Sequence, residues 1–231
     1  MYDQTNPYAI NSIPVDQRAN FIRKTYLHVA GALFVFAALI AALLQIPAIK
    51  NFAITMTGSW MIVLGAFMGV SWISNKWANS STSRGMQYLG LGLFVVAEAI
   101  IFLPMIMIAQ QMSGAGNNLI LQAGLATLAL FLAITFVAFT TKADFSFLGS
   151  FLKVGFIIAL GAIVAGWIFG FNLGLLFSVG MVLLASASIL YNTSNLIHHY
   201  HTDQYVAAAL SLFSSIALLF WYILRIFMSR D

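Results

Sequence analysis

Cysteine is absent from the 231-residue chain. Disulfides, thiolate metal sites and cysteine nucleophiles are thereby excluded, and the redox compartment leaves no mark on the sequence. Charge is nearly as scarce, since Asp, Glu, Lys and Arg together make up 7% of the residues. That is too little to solvate the surface of a soluble domain, and a dispersed net charge of +4 offers no basic face to nucleic acid. Catalytic signatures are missing as well: there is no HExxH, no GxSxG, no phosphate-cradling glycine loop and no pair of intramembrane aspartates. The last apolar run lacks the deep lysine of a retinal protein and offers only Arg225. The chain therefore reads as non-catalytic and free of cofactors. Residues 1–20 carry Pro7 and Pro14 without an apolar core, so they do not form a cleavable signal and read as a flexible polar tail.

What the chain has in quantity is apolar surface. Apolar residues make up 61% and the mean hydropathy is +0.95, against roughly 45–50% apolar content in soluble domains. The partner this implies is the lipid bilayer. A crossing helix needs about 20 apolar residues, so there is room for roughly seven spans joined by short loops. Apolar runs lie at about 22–46, 52–74, 84–108, 117–140, 147–170, 172–197 and 204–228. The expected fold is all-α: a polytopic domain over 21–231 with seven transmembrane helices. Arg18, Arg23, Lys24, Lys76, Arg84 and Lys142 fall on the amino-terminal side of these runs, whereas Lys50 and Arg230 fall on the other. Positively charged loops stay in the cytoplasm. The N-terminus is thus expected inside and, after seven crossings, the C-terminus outside.

Polar groups within so apolar a chain are the candidates for function. Glu98, in VVAEAIIFLP, lies more than a dozen residues from Arg84 and shortly before Pro104. A charge at mid-bilayer costs from ~3 to over ~10 kcal/mol, depending on how it is measured. Two readings stand for Glu98: a proton or cation relay, or a neutral acid bonded to a neighbouring helix. The end of the sixth run, ILYNTSNLIHHYH at 189–201, forms the densest polar cluster. Its His198, His199 and His201 lack the i, i+4 spacing of a helical zinc pair, and only Asp203 stands close by, so no metal site is expected. They remain candidates for pH response, because imidazole titrates near ~6.5. Small residues at Ala162, Gly166 and Gly170, and from Ala185 to Ser188, mark the fifth and sixth spans for close packing.

Three stretches carry a resemblance: FTTKADFSFLGSFLKVG at 139–155, LYNTSNLIHHYH at 190–201 and ALSLFSSIALLFWYILRIF at 209–227. They resemble the Bax-inhibitor family of seven-helix membrane proteins. The resemblance implies six helices around a central seventh and a cytoplasmic N-terminus. It also implies a gate at the sixth and seventh helices, where related calcium leak channels share a proton between two aspartates. The corresponding positions here are Asn192 and Ser215, and neither ionises. Asn192 and Ser215 are expected to hold the two helices together, with Tyr191, Thr193, Ser194 and Asn195 extending the polar network. Glu98 departs from the small residue that the family carries before this proline, and would enter the same cavity from another helix. TSN-x-IH is closest to a bacterial branch, in the inner membrane, whose members bind and modulate a membrane-anchored AAA protease. The expected function is modulation of such a protease, engaged through the N-terminal tail. The alternative is a leak for calcium ions or protons.

Overall fold

The computed structural model describes residues 14–80, 83–114, 118–141 and 143–229. Among these residues the chain forms eight helices: α1 (Val15–Leu43), α2 (Pro47–Gly58), α3 (Trp60–Ala78), α4 (Arg84–Met112), α5 (Leu119–Thr141), α6 (Leu148–Phe169), α7 (Gly174–His198) and α8 (Tyr205–Met228). Seven apolar runs become eight helices because the second run is broken: α2 and α3 meet at Ser59 with a bend of 105°. The expected sixth and seventh spans are therefore α7 and α8. Of the expected tail, residues 1–13 lie outside the described residues, and 15–20 belong to α1. Pro14 precedes the first turn, where its fixed φ suits a helix start, and Asp16 lies in that turn, where an acid favours the helix dipole.

The chain divides into two compact units: Met1–Ile108 with Tyr200–Phe213, and Ala109–His199 with Ser214–Asp231. In the first unit α1 buries Phe21, Thr25, Val29, Ala32, Phe36 and Ile40, one stripe at helical spacing. Phe36 meets Phe102 edge-on at 5.1 Å and Phe213 at 5.7 Å, while Phe94 meets Phe213 at 6.0 Å. Edge-to-face packing of this kind gives the apolar interior its specific geometry. Close approach of α3 and α4 depends on Gly90, where an added Cβ would lie 2.5 Å from the Ala78 nitrogen and 2.6 Å from the Ser74 oxygen.

The second unit packs Leu152 and Ala159 of α6 with Met181 and Leu184 of α7 and Tyr222 of α8. Here α6 approaches α7 at Gly155, where a Cβ would stand 2.6 Å from Leu184 Cδ1, and at Gly149, where it would stand 3.0 Å from the Tyr191 ring. The expected small-residue seam is thus shifted by two turns or more. Gly166 serves the end of α6, its α-carbon facing the Phe171 carbonyl, and Gly170 caps the helix with a φ of 71°. The last helix, α8, is buried over 72% of its most apolar window, the largest share of any span.

Candidate functional site

The polar end of α7 is built on helical spacing. Ser188 and Asn192 stand four residues apart and so share a face, and that face meets Ser215 of α8. The Asn192 Nδ2 donates to Ser215 Oγ at 2.9 Å and, at 3.4 Å, to Ser188 Oγ. The two serine hydroxyls bond each other at 2.8 Å. Ser188 and Ser215 are buried, and Asn192 is half-buried. The cluster is an amide and two hydroxyls with no ionisable member.

The neighbouring residues of α7 do not extend this cluster, and that expectation is corrected. Thr193 and Ser194 follow Asn192 by about 100° and 200° round the helix and so leave its face. Ser194 turns to the loop before α6, where its hydroxyl accepts the Phe145 N–H at 2.8 Å. Thr193 is fully buried, and its hydroxyl has no hydrogen-bond partner. Tyr191 packs on Gly149, and the Asn195 carbonyl accepts the His199 N–H at 2.7 Å. Ser188, which the sequence marks only for packing, is the member that was missed; its place four residues before Asn192 was the available signal.

The three histidines go separate ways. His198 donates its Nδ1–H to the Ser194 carbonyl at 2.9 Å. His199 donates Nε2–H to Asp144 Oδ2 at 3.0 Å. At His201 the backbone N–H is held by Gln204 Oε1 at 3.0 Å. Among the described residues no three His, Asp or Glu side chains converge on a point where a metal ion would fit. Asp144 lies in the loop between α5 and α6, outside the spans. Partial burial works against its charge, but the Ser146 backbone N–H and hydroxyl, and the imidazolium form of His199, outweigh this and hold the carboxyl below its ordinary value.

In the first unit, Glu98 is buried on α4, one turn from Phe94 and one from Phe102, themselves 2% exposed. Its carboxyl has no hydrogen-bond or ionic partner among the described residues. A second cluster there has no counterpart in the sequence reading. His28 of α1 donates Nδ1–H to the Lys24 carbonyl at 2.7 Å, so in the neutral ring Nε2 is the acceptor and takes the Tyr88 hydroxyl proton at 3.1 Å. Tyr88 O then accepts from the Tyr205 hydroxyl at 3.3 Å, and Lys24 Nζ lies 5.6 Å from the centre of the Tyr205 ring. His28 thus ties α1 to α4 and, through Tyr88, to α8.

Among the described residues six helices are long and apolar enough to cross a membrane, or seven spans if the bent α2–α3 pair counts as one. This is a multi-pass, all-α membrane protein. The chain belongs to the Bax-inhibitor family, whose model, described as "Inhibitor of apoptosis-promoting Bax1", matches residues 18–231. An uncharacterized protein of Pseudomonas aeruginosa is 31% identical over 97% of this chain and 96% of its own length. Bax inhibitor 1 of Schizosaccharomyces pombe is 26% identical over 94% of this chain and 80% of that protein. The modulator of FtsH protease YccA, from Escherichia coli, is 35% identical over 52% of this chain and 55% of that protein.

Proposed function

We propose that this protein is a non-catalytic modulator of a membrane-bound AAA protease, seated in the bacterial inner membrane with its N-terminus in the cytoplasm and its C-terminus outside. The observation that carries this reading is the contact of Asn192 with Ser215 and Ser188, at 2.9 Å and 3.4 Å. A proton-gated pore needs a group at its gate that changes charge near neutral pH. Amides do not, and serine hydroxyls do not, so the Asn192–Ser215–Ser188 contact itself offers no group that takes up or releases a proton in that range. The absence of a titratable pair at this contact supports a reading as a binding protein over one as an acid-gated pore. The likeness to a protein named as a modulator of FtsH supports that choice of partner.

The test is reconstitution with the membrane-anchored FtsH protease. The full chain is expected to copurify with it and to change its turnover of a membrane substrate. A deletion of residues 1–13, which spares α1 from Val15 onward, is expected to abolish engagement and leave the thermal midpoint unchanged. If the deletion variant still binds, the tail is not the contact; if the full chain neither binds nor alters turnover, the reading fails. The alternative, a calcium or proton leak, is favoured only by the unpartnered Glu98. Liposomes holding the pure protein are expected to be silent for both ions across pH, and acid-dependent flux would transfer the function to a leak.

A further inference from the structure

The break in the second span leaves a concavity. Between α2, the Ser59 elbow, α3 and α4 lies a groove of about 490 Å³, within the range of roughly 300–1,000 Å³ that holds small ligands. Met56 and Ile101, at 4% and 7% exposure, form its floor. Phe52, Ile62 and Ile100, at 56%, 75% and 36%, stand at its mouth. No charged side chain lines it, and the Thr55 hydroxyl is turned back onto the Phe52 carbonyl at 2.7 Å, which leaves its methyl for the wall.

We propose that this groove binds one acyl chain of a bilayer phospholipid. Its mouth is continuous with the surface that the helices present to hydrocarbon, so the fluid that meets it is lipid rather than water. An aqueous ligand would find no charge on the wall and, besides the Thr55 hydroxyl already turned onto its own helix, only the single Ser59 hydroxyl at the elbow. A chain lying in the groove is contacted from three helices, whereas a chain on a convex helix face is contacted from one. Dispersion contacts therefore set it apart from the surrounding lipid, since hydrophobic transfer cannot: the chain is already out of water. Lys50, exposed near the start of the same α2, supplies the positive charge that suits a lipid phosphate. The geometry is local to this elbow. It does not depend on the proposed protease partner.

The experiment places the full-length protein in vesicles of phosphatidylethanolamine and phosphatidylglycerol that carry a phospholipid with a photoreactive group along its acyl chain, and maps the adducts by mass spectrometry. Adducts on 52–70 and 97–101 are expected to exceed, several-fold per exposed residue, those on the lipid-facing stretch of α6 that holds Val154, Ile157 and Ile158. Ala66→Phe, which fills the groove from α3, is expected to bring the two regions level. Should that variant not fold, Ala97→Leu does the same from α4. Equal labelling of both regions in the parent would overturn the proposal. So would enrichment that survives a folded groove-filling variant. Displacement of the adducts by free palmitate would assign the groove to a free fatty acid, and crosslinks between two copies through 52–70 would assign it to a second chain; either result also overturns it.

Discussion

Alanine substitutions at Asn192 and Ser215, made singly and together, measure what the α7–α8 contact contributes. In Asn192→Ala the hydroxyls of Ser188 and Ser215 keep their mutual bond at 2.8 Å, so no oxygen loses its last partner. The loss is then about one interhelical hydrogen bond, ~0.6 kcal/mol on average in bilayers and ~1.7 at most. Part of it is offset in the single variant, because alanine is the better helix former by roughly 0.5 kcal/mol. In Ser215→Ala the asparagine amide loses its acceptor at 2.9 Å and keeps Ser188 at 3.4 Å. The same substitution also removes the 2.8 Å bond to Ser188, so it breaks two contacts where Asn192→Ala spares that one, and this variant is expected to be the worse of the two. The propensity gain cancels in the double-mutant cycle, leaving a coupling of ~0.6–1.7 kcal/mol. The assay is reversible unfolding in mixed detergent micelles, followed by helical circular dichroism. The coupling is also expected to be the same at about pH 5 and about pH 8, since neither group titrates between them. A coupling indistinguishable from zero would refute the contact, and one that changes with pH would refute the claim that the contact itself is blind to protons.

Two glycines on one helix make a matched pair. Gly90→Ala forces a methyl against the backbone of α3 and is expected to cost ~1–3 kcal/mol, whereas Gly92→Ala, with nothing within 4 Å, is expected to be neutral or stabilising; equal effects in the same unfolding assay would contradict the close approach. Glu98→Leu is expected to raise stability by ~1–3 kcal/mol, because it removes a buried acid without a partner, and a destabilised variant would show that the carboxyl is bonded after all. For Asp144 the sign follows from a carboxyl held below its ordinary value: its contribution is present above the unfolded value of about 3.9 and is lost as pH falls through the folded one. Asp144→Asn is therefore expected to destabilise at neutral pH, by well under ~1 kcal/mol because Asp144 and its partner His199 are 45% and 49% exposed. The deficit should shrink as pH falls below the unfolded value and vanish once the folded carboxyl is protonated, and a deficit that persists in acid would assign the effect to the Ser146 turn instead.

The spans were legible because hydropathy alone separates them; what hydropathy cannot see is direction. Residues 52–74 read as one run, since Gly58 and Ser59 have apolar neighbours on both sides and neither a charge nor a proline marks the 105° break. The start of α1 was misplaced for the opposite reason. VDQRAN is polar and reads as tail, although Pro14 and Asp16 are ordinary signals of a helix start. Asn192 and Ser215 were reachable through the family resemblance, and Ser188 through helical spacing. Nothing local announces the His28–Tyr88–Tyr205 chain, whose links span 60 and 117 residues. Long-range contacts between ordinary interfacial residues leave no pattern in a single sequence.

Several hydroxyls in these helices are satisfied by their own backbone. Thr25, Thr127, Ser178 and Ser211 each donate to the carbonyl four residues earlier, and bonds of that kind hold no two helices together. Where hydrocarbon supplies no hydrophobic drive between helices, pairing relies on close packing and on the few polar contacts that do cross. In the second unit those crossings gather at the end of α7: Ser188 and Asn192 reach α8, while Ser194 pins Phe145 and His199 takes the carboxylate of the adjoining Asp144. These contacts between α7 and α8 are neutral, and the ion pair given by His199 and Asp144 lies at an exposed loop. Protonation can then act at the rim of this unit without loosening its interior. Glu98 stands outside that economy, because it holds nothing together and its burial is unfavourable. Ion flux and protease modulation measured on Glu98→Gln are the assays in which a role for this carboxyl would show, and a variant indistinguishable from the parent in both would leave it without one.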